Sequence, residues 1–158
     1  MAVRVTRHLY SAEGFGVGEV WERAGVVVQH ELASAAVARD GSAAQAWELC
    51  ARFVCHLAGE RVEYGDVALD LGGLTPFQAA LVEAARSVPW GEVVSYGELA
   101  ALAGRPGAAR AAGTFCAENR FALIVPCHRI VAADGIGGYG AGGVALKRRL
   151  LALEGVAL

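Results

Sequence analysis

No apolar stretch in this 158-residue chain approaches the roughly 18 uninterrupted residues of a membrane span. The first residues, Met1-Ala2-Val3-Arg4-Val5-Thr6-Arg7-His8, also lack the apolar core of a secretory signal. Both absences lead to the expectation of a cytoplasmic protein (nuclear in a eukaryote) that meets no membrane. The cysteines, at 50, 55, 116 and 127, form no C-x-x-C pair and no run of metal-ligand spacings. In a reducing compartment they are expected as free thiols, with no bound metal. Charge is scarce as well, at 19% of residues against 55% hydrophobic, which excludes a disordered chain. The length suits one sizeable core or two small ones.

The small net charge of −2 conceals an asymmetry. Residues 1–94 hold seven Lys/Arg against twelve Asp/Glu, a balance of −5, whereas residues 95–158 hold seven against four, a balance of +3. The C-terminal part is therefore the one suited to face a polyanion.

Short β-branched stretches between Val3 and Leu32 are punctuated by Gly14, Gly16, Gly18 and Gly25, a pattern of hairpin strands. Helical periodicity runs from about Ala43 to Leu57, a polar loop follows over residues 59–66, and Gly72-Gly73 marks a hinge. The expectation is an α/β domain over 1–73, a small sheet plus a helix, followed by a mostly α domain over 74–158. Thr75-Pro76-Phe77-Gln78 is a helix start, with a Thr cap, Pro at the first helical position and a returning Gln. Ser95-Tyr96-Gly97-Glu98 is a second capping box, opening a helix through Leu102 that Gly104 ends. Pro106 then opens a helix from Gly107 to about Glu118, and the two short helices make a helix-turn-helix. Helical hairpins that never touch DNA share this pattern. The second of these helices offers alanines, Gly113 and a single Arg110, where a major-groove reader offers several Asn, Gln or Arg. Small residues permit close approach to a surface, with one long cationic side chain projecting; a core helix with one solvated Arg reads the same.

Gly135-Ile136-Gly137-Gly138-Tyr139-Gly140 matches G-x-G-x-x-G literally, but too little chain remains for the βαβ unit that a dinucleotide site requires. A tightly turning loop that lets a ligand approach backbone atoms fits better.

The run from Leu123 to Val131 reads as a buried strand, interrupted by Pro126-Cys127-His128. Pro126 cannot donate to a ladder, so the break can turn the Cys127 thiol outward with an imidazole beside it. Thiolate is the reactive form of cysteine, and a neighbouring base raises its population. A buried structural cysteine beside a core-edge histidine has the same local signature. In the last helix, Val144 to Glu154, the apolar side carries Leu146, Leu150 and Leu153. Glu154 falls on that side too, at the helix end its charge opposes. It asks for a partner, and His128 is the natural candidate; an exposed glutamate at a helix end is the other possibility.

With Thr75-Pro76-Phe77-Gln78, Gly91, Ser95-Tyr96-Gly97, Ala109-Arg110-Ala111, Asn119, Ile124-Val125-Pro126-Cys127-His128-Arg129, Gly142-Gly143, Lys147 and Glu154-Gly155, residues 75–158 resemble the O(6)-alkylguanine-DNA alkyltransferases. These are direct-reversal DNA repair proteins. Residues 1–74 resemble the family's variable N-terminal domain only in length and strand pattern. The resemblance implies a ribonuclease-H-like N-terminal domain and irreversible, single-turnover transfer of an alkyl group from O6 of guanine in DNA to Cys127, with O4 of thymine left open as a second position. No cofactor is implied. Glu154 and His128 would form a relay that reaches Cys127 through a water. Tyr96 would donate to the guanine ring and crowd the 3′ phosphate, Arg110 would replace the extruded base in the stack, and Asn119 would hold the segment carrying the cysteine. The carbonyls of Cys127 and Ile130 would accept from the guanine amino group, a backbone N–H near Ala141 would meet the alkylated oxygen, and Arg129 and Tyr139 would join the DNA and substrate side. The partner implied is double-stranded DNA, met by a monomer through the minor groove.

Three departures from the family pattern stand out. Tyr139 comes one residue early, with Ala141 restoring the register; Arg120-Phe121 follows Asn119 where proline is usual; and Cys116-Ala117 replaces more polar residues. Two other functions share parts of the constellation. A non-catalytic lesion-binding protein would replace the acceptor cysteine, and a Cys-His-Glu hydrolase would turn over many times.

Overall fold

The computed structural model describes residues 4–35, 47–140 and 142–158. The chain divides into two compact units, one of Met1–Asp70 with Arg120–Leu123, the other of Leu71–Asn119 with Ile124–Leu158. The expected α/β character is present as a small sheet with helices.

In the first unit, β1 (Val5–Ala12), β2 (Gly16–Arg23) and β3 (Val26–Ser34) form an antiparallel meander in the order β1-β2-β3. Gly14 and Gly25 take positive φ in the two turns, as the glycine punctuation requires. Helix α1 runs Glu48–Leu57; the expected start near Ala43 lies outside the described residues. Its Phe53 stacks on His30 at 3.9 Å between ring centroids and packs against Tyr10. Gly18, directly across from Tyr10, leaves the space that the phenol ring fills.

The outer edge of β3 is covered by two short chain segments. Val27 N–H donates to Ala68 O and Asp70 N–H to Val27 O, and His30 N–H donates to Arg120 O. The His30 ring extends the second attachment: Tyr10 O–H donates to Nε2 at 2.6 Å, and Nδ1–H donates to Ala122 O. Arg120 adds a bond from Nη2 to Asp70 O at 3.0 Å. The residues that replace the usual proline after Asn119 thus tie this segment to the sheet.

The second unit is mostly helical. Helix α2 (Pro76–Arg86) and helix α3 (Tyr96–Leu102) each begin with the expected capping box, Thr75 with Gln78 and Ser95 with Glu98. Such caps contribute about 1 kcal/mol each. Gly104 closes α3 at φ +92°, its N–H bonding Ala101 O while Arg105 N–H reaches Ala100 O. Pro106 does not open the next helix: Gly107 sits at φ +91°, outside helical space, so α4 begins later and spans Ala109–Ala117. The strand expected over 123–131 is also corrected. Leu123 takes φ +68°, residues 122–125 turn, and only β5 (Ile130–Val131) pairs, in parallel with β4 (Val94–Ser95). Burial of the whole run through Val131 persists: Ile124, Val125 and Ile130 are core residues, as are Leu81, Leu99 and Leu150. The final helix, α5, spans Gly143–Leu153. Among the described residues, no helix is long and apolar enough to cross a membrane.

Candidate active site

Pro126 sits at φ −80°, ψ 64°, and Cys127 N–H bonds back to Val125 O at 2.8 Å, an inverse γ-turn. A single 3-10 turn, Cys127–Arg129, follows, with Arg129 N–H on Pro126 O. The missing donor of proline and its fixed φ make this reversal, and it sets Cys127, His128 and Arg129 on successive sides of one turn. Asn119 Nδ2 donates to Val125 O at 2.9 Å, anchoring the turn to the end of α4.

His128 is fully buried, and its Nε2 lies 2.8 Å from Glu154 Oε2. Glu154 is the residue that ends α5. Gly155 at φ +83° lets Val156 N–H reach Leu151 O and Gly155 N–H reach Ala152 O, a tight terminus that turns the carboxylate inward. Against that carboxylate His128 carries its proton on Nε2, which leaves Nδ1 of the neutral ring as the basic nitrogen.

Arg129 is placed differently from the expectation of a DNA-side residue. It is buried, and its Nε and Nη2 donate to Glu154 Oε1 and Oε2 at 2.7 and 3.0 Å. Its Nη1 donates to Val88 O at 2.8 Å, and its guanidinium lies over the Trp90 ring. The cause is the charge of Glu154: a buried carboxylate needs a cation and several donors, and the adjacent arginine supplies both.

Cys127 is 2% exposed, and Cys116 of α4 is also buried. The neighbouring Cys116 thiol, then burial, hold the Cys127 thiol well above its ordinary value, opposed by the charge of Lys147. Lys147 is wholly buried; its ammonium donates to Ile130 O, to Gly138 O at 2.9 Å and to Tyr96 Oη at 3.4 Å. Burial pulls its pKa down, while the two cysteines pull it up.

Tyr96 donates to Gly138 O at 3.3 Å, and its ring lies along Gly113 of α4 and Gly137 of the glycine loop. Gly137 has φ +73°, and a side chain there would press on the Tyr96 ring and Ala132 N, so the loop needs glycine at this point. Burial, then the two cysteines, push up the phenols of Tyr96 and Tyr139. Tyr96 and Lys147 meet at Gly138 O, and Lys147 also reaches Ile130 O at the end of the Cys127 turn. Ile130 O is engaged by Lys147, and Cys127 O accepts from Ile130 N–H. Each carbonyl keeps a second lone pair. Arg110 lies apart from this cluster on the exposed face of α4, with Ala111, Thr114 and Ala117. Ala141 lies outside the described residues.

Lys147 is a site residue to which sequence reasoning alone assigns no role. Its signal is the spacing 147, 150/151, 154, one inward face shared with Leu150, Leu151 and Glu154.

Comparison with known proteins gives three findings. Residues 76–156 match the family model of the 6-O-methylguanine DNA methyltransferase DNA-binding domain. Methylated-DNA–protein-cysteine methyltransferases of Mycobacterium bovis and Mycobacterium tuberculosis are 51% identical over 100 residues, covering 63% of this chain and 59% of theirs. This chain thus aligns with less than two thirds of those relatives' length. Among solved structures, the O6-methylguanine methyltransferase of M. tuberculosis superposes with a TM-score of 0.76 at 34% identity, covering 94% of this chain and 93% of that one. The same organism's protein in complex with DNA gives 0.77 at 35% identity, over 94% and 91%.

Proposed function

We propose, because the chain belongs to the 6-O-methylguanine DNA methyltransferase family, that it repairs DNA by moving an alkyl group from O6 of guanine to Cys127. The observation that carries this reading is the buried contact of Glu154, at the end of α5, with His128, the residue next to Cys127 on its turn. The Cys127 sulfur attacks the carbon bonded to O6, the carbon–oxygen bond breaks, and guanine leaves with a proton returned to the ring. The product is a thioether that water does not cleave, so each molecule acts once. O4 of thymine presents the same alkyl–oxygen bond and is a second substrate position.

A neutral, buried thiol is a poor nucleophile, and each unit by which its pKa falls is worth about 1.4 kcal/mol. Nδ1 of His128, acting through a water, takes the thiol proton while Glu154 stabilises the imidazolium. Arg129 keeps Glu154 ionised and in place, and so acts on the relay and not on DNA. Lys147 favours the thiolate by its charge. Tyr96, held between the glycine loop and α4, donates to the guanine ring, and the carbonyls of Cys127 and Ile130 use their remaining lone pairs for the exocyclic amine. Tyr139 borders the same region, and Ala141 offers its N–H to the alkylated oxygen.

In this reading residues 74–158 bind DNA and carry the chemistry, and residues 1–73 are a ribonuclease-H-like support. Helices α3 and α4 act as the helix-turn-helix. The small exposed residues of α4 suit the minor groove, where little sequence is read, and Arg110 fills the stack left by the rotated nucleotide. Rotation costs a few kcal/mol, less for a lesion that pairs badly. The protein works as a cytoplasmic monomer.

Titration against a duplex carrying O6-methylguanine tests the proposal. One equivalent repaired per protein supports it. No repair with tight binding would indicate a lesion-binding protein, and many turnovers a hydrolase.

A further inference from the structure

His30, on β3, is a buried imidazole that the transfer chemistry above does not use. Phe53 of α1 stacks flat on it, with 3° between the ring planes. The two ring nitrogens have different partners. Tyr10 O–H donates to Nε2 at 2.6 Å, and the Tyr10 oxygen in turn accepts from Ala33 N–H at 3.1 Å. An accepting Nε2 leaves the proton of the neutral ring on Nδ1, which donates to Ala122 O. The His30 backbone N–H donates to Arg120 O at 2.8 Å. One residue thus holds two carbonyls of the segment that leads to Cys127.

That segment is strained at one point. The chain leaves the second unit after Asn119, joins the first for Arg120–Leu123 and returns at Ile124. Leu123 is buried and takes φ +68°, a region that residues with a Cβ rarely adopt. Such a conformation persists only where its surroundings over-determine it. Restraints stand on both sides of Leu123: His30 on Arg120 O and Ala122 O before it, and Asn119 Nδ2 on Val125 O after it. Val125 O also accepts from Cys127 N–H, so the second restraint belongs to the acceptor turn itself.

We propose that His30 is a positioning residue for Cys127: its Nδ1–H, by fixing Ala122 O, keeps Leu123 left-handed and so holds the Val125–Cys127 turn in place. The inference rests on the proposed function only in taking Cys127 as the acceptor. It gives the sheet a share in the chemistry, delivered along the chain through residues 122–127. A displacement of about 1 Å caused far from the reacting atoms can cost about a hundredfold in rate.

The test compares His30→Leu with His30→Asn in the full chain. Leucine removes the donor, whereas the asparagine Nδ2 stands where the imidazole Nδ1 does and can take over Ala122 O. Amide hydrogen exchange is followed by mass spectrometry, and alkylation by free O6-benzylguanine is timed well below each melting temperature. For His30→Leu the expected result is faster exchange over residues 120–127, unchanged exchange in α2 and α5, and alkylation slowed roughly ten- to a hundredfold. His30→Asn is expected to recover the protection and most of the rate. Should His30→Leu fail to fold, His30→Gln takes its place with the same expected losses, since its amide stands at the Nε2 position and misses Ala122 O. A wild-type rate without the donor, faster exchange spread evenly along the chain, or an Asn variant as slow as the Leu or Gln variant would each overturn the proposal. Exchange needs no alkyl transfer, so a wild-type protein that accepted no benzyl group would count against the proposed function and leave the exchange result standing.

Discussion

Arg129 grips Glu154 at two points, Nε on Oε1 at 2.7 Å and Nη2 on Oε2 at 3.0 Å, with both groups withdrawn from water. The same carboxylate receives His128 Nε2, so one acidic side chain serves a structural cation and a candidate base together.

Removing either partner of a buried ion pair strands the other, at about 3–5 kcal/mol. Arg129→Met and Glu154→Gln should therefore both lower stability in denaturant unfolding, the first by about that amount and the second by less, because an amide still offers an acceptor. Assayed well below their melting temperatures, the two should separate. Glu154→Gln loses the carboxylate that supports the His128 imidazolium and should slow alkylation strongly; Arg129→Met should slow it less. Equal rates for wild type and Glu154→Gln would make Glu154 a structural residue only.

Much of this arrangement is legible one segment at a time. The capping boxes at Thr75 and Ser95 are readable because every group involved lies within four residues. Glu154 is readable because helical spacing puts a charge on an apolar face. The same spacing points to Lys147, whose partners are carbonyls of the loop and of β5 that no local pattern announces. Arg129, which the family resemblance put on the DNA and substrate side, bonds to a carboxylate 25 residues away, beyond the reach of any local pattern. The strand expected over 123–131 fails because apolarity reports burial and not backbone shape. Asn119 on Val125 O and the positive φ of Leu123 impose a turn there.

Lys147 should shape the pH profile. Cys127 is an acid whose pKa is held above its ordinary value, so its thiolate fraction, and with it alkylation by free O6-benzylguanine, should climb as pH rises through neutrality. The Lys147 charge lowers that pKa, and Lys147→Met should move the rising limb to higher pH, with about a tenfold loss of rate per unit on the limb. Slowing by the same factor at every pH would mean that the lysine only shapes the loop.

Arg110 stands exposed on α4, away from the buried thiols. Arg110→Ala should slow repair of a duplex while leaving reaction with the free modified base almost unchanged, since a free base has no stack to leave. Equal losses on both substrates would indicate that Arg110 supports the site itself.

The most direct measurement locates the transferred group. After one equivalent of duplex bearing O6-methylguanine, the reduced protein is digested and its peptides are weighed. Transfer to Cys127 predicts one added methyl on peptide 121–129, at the cysteine, with 111–120 and the peptides of Cys50 and Cys55 unmodified. A methyl on Cys116 with Cys127 untouched, or a repaired duplex with no methylated peptide, would contradict it.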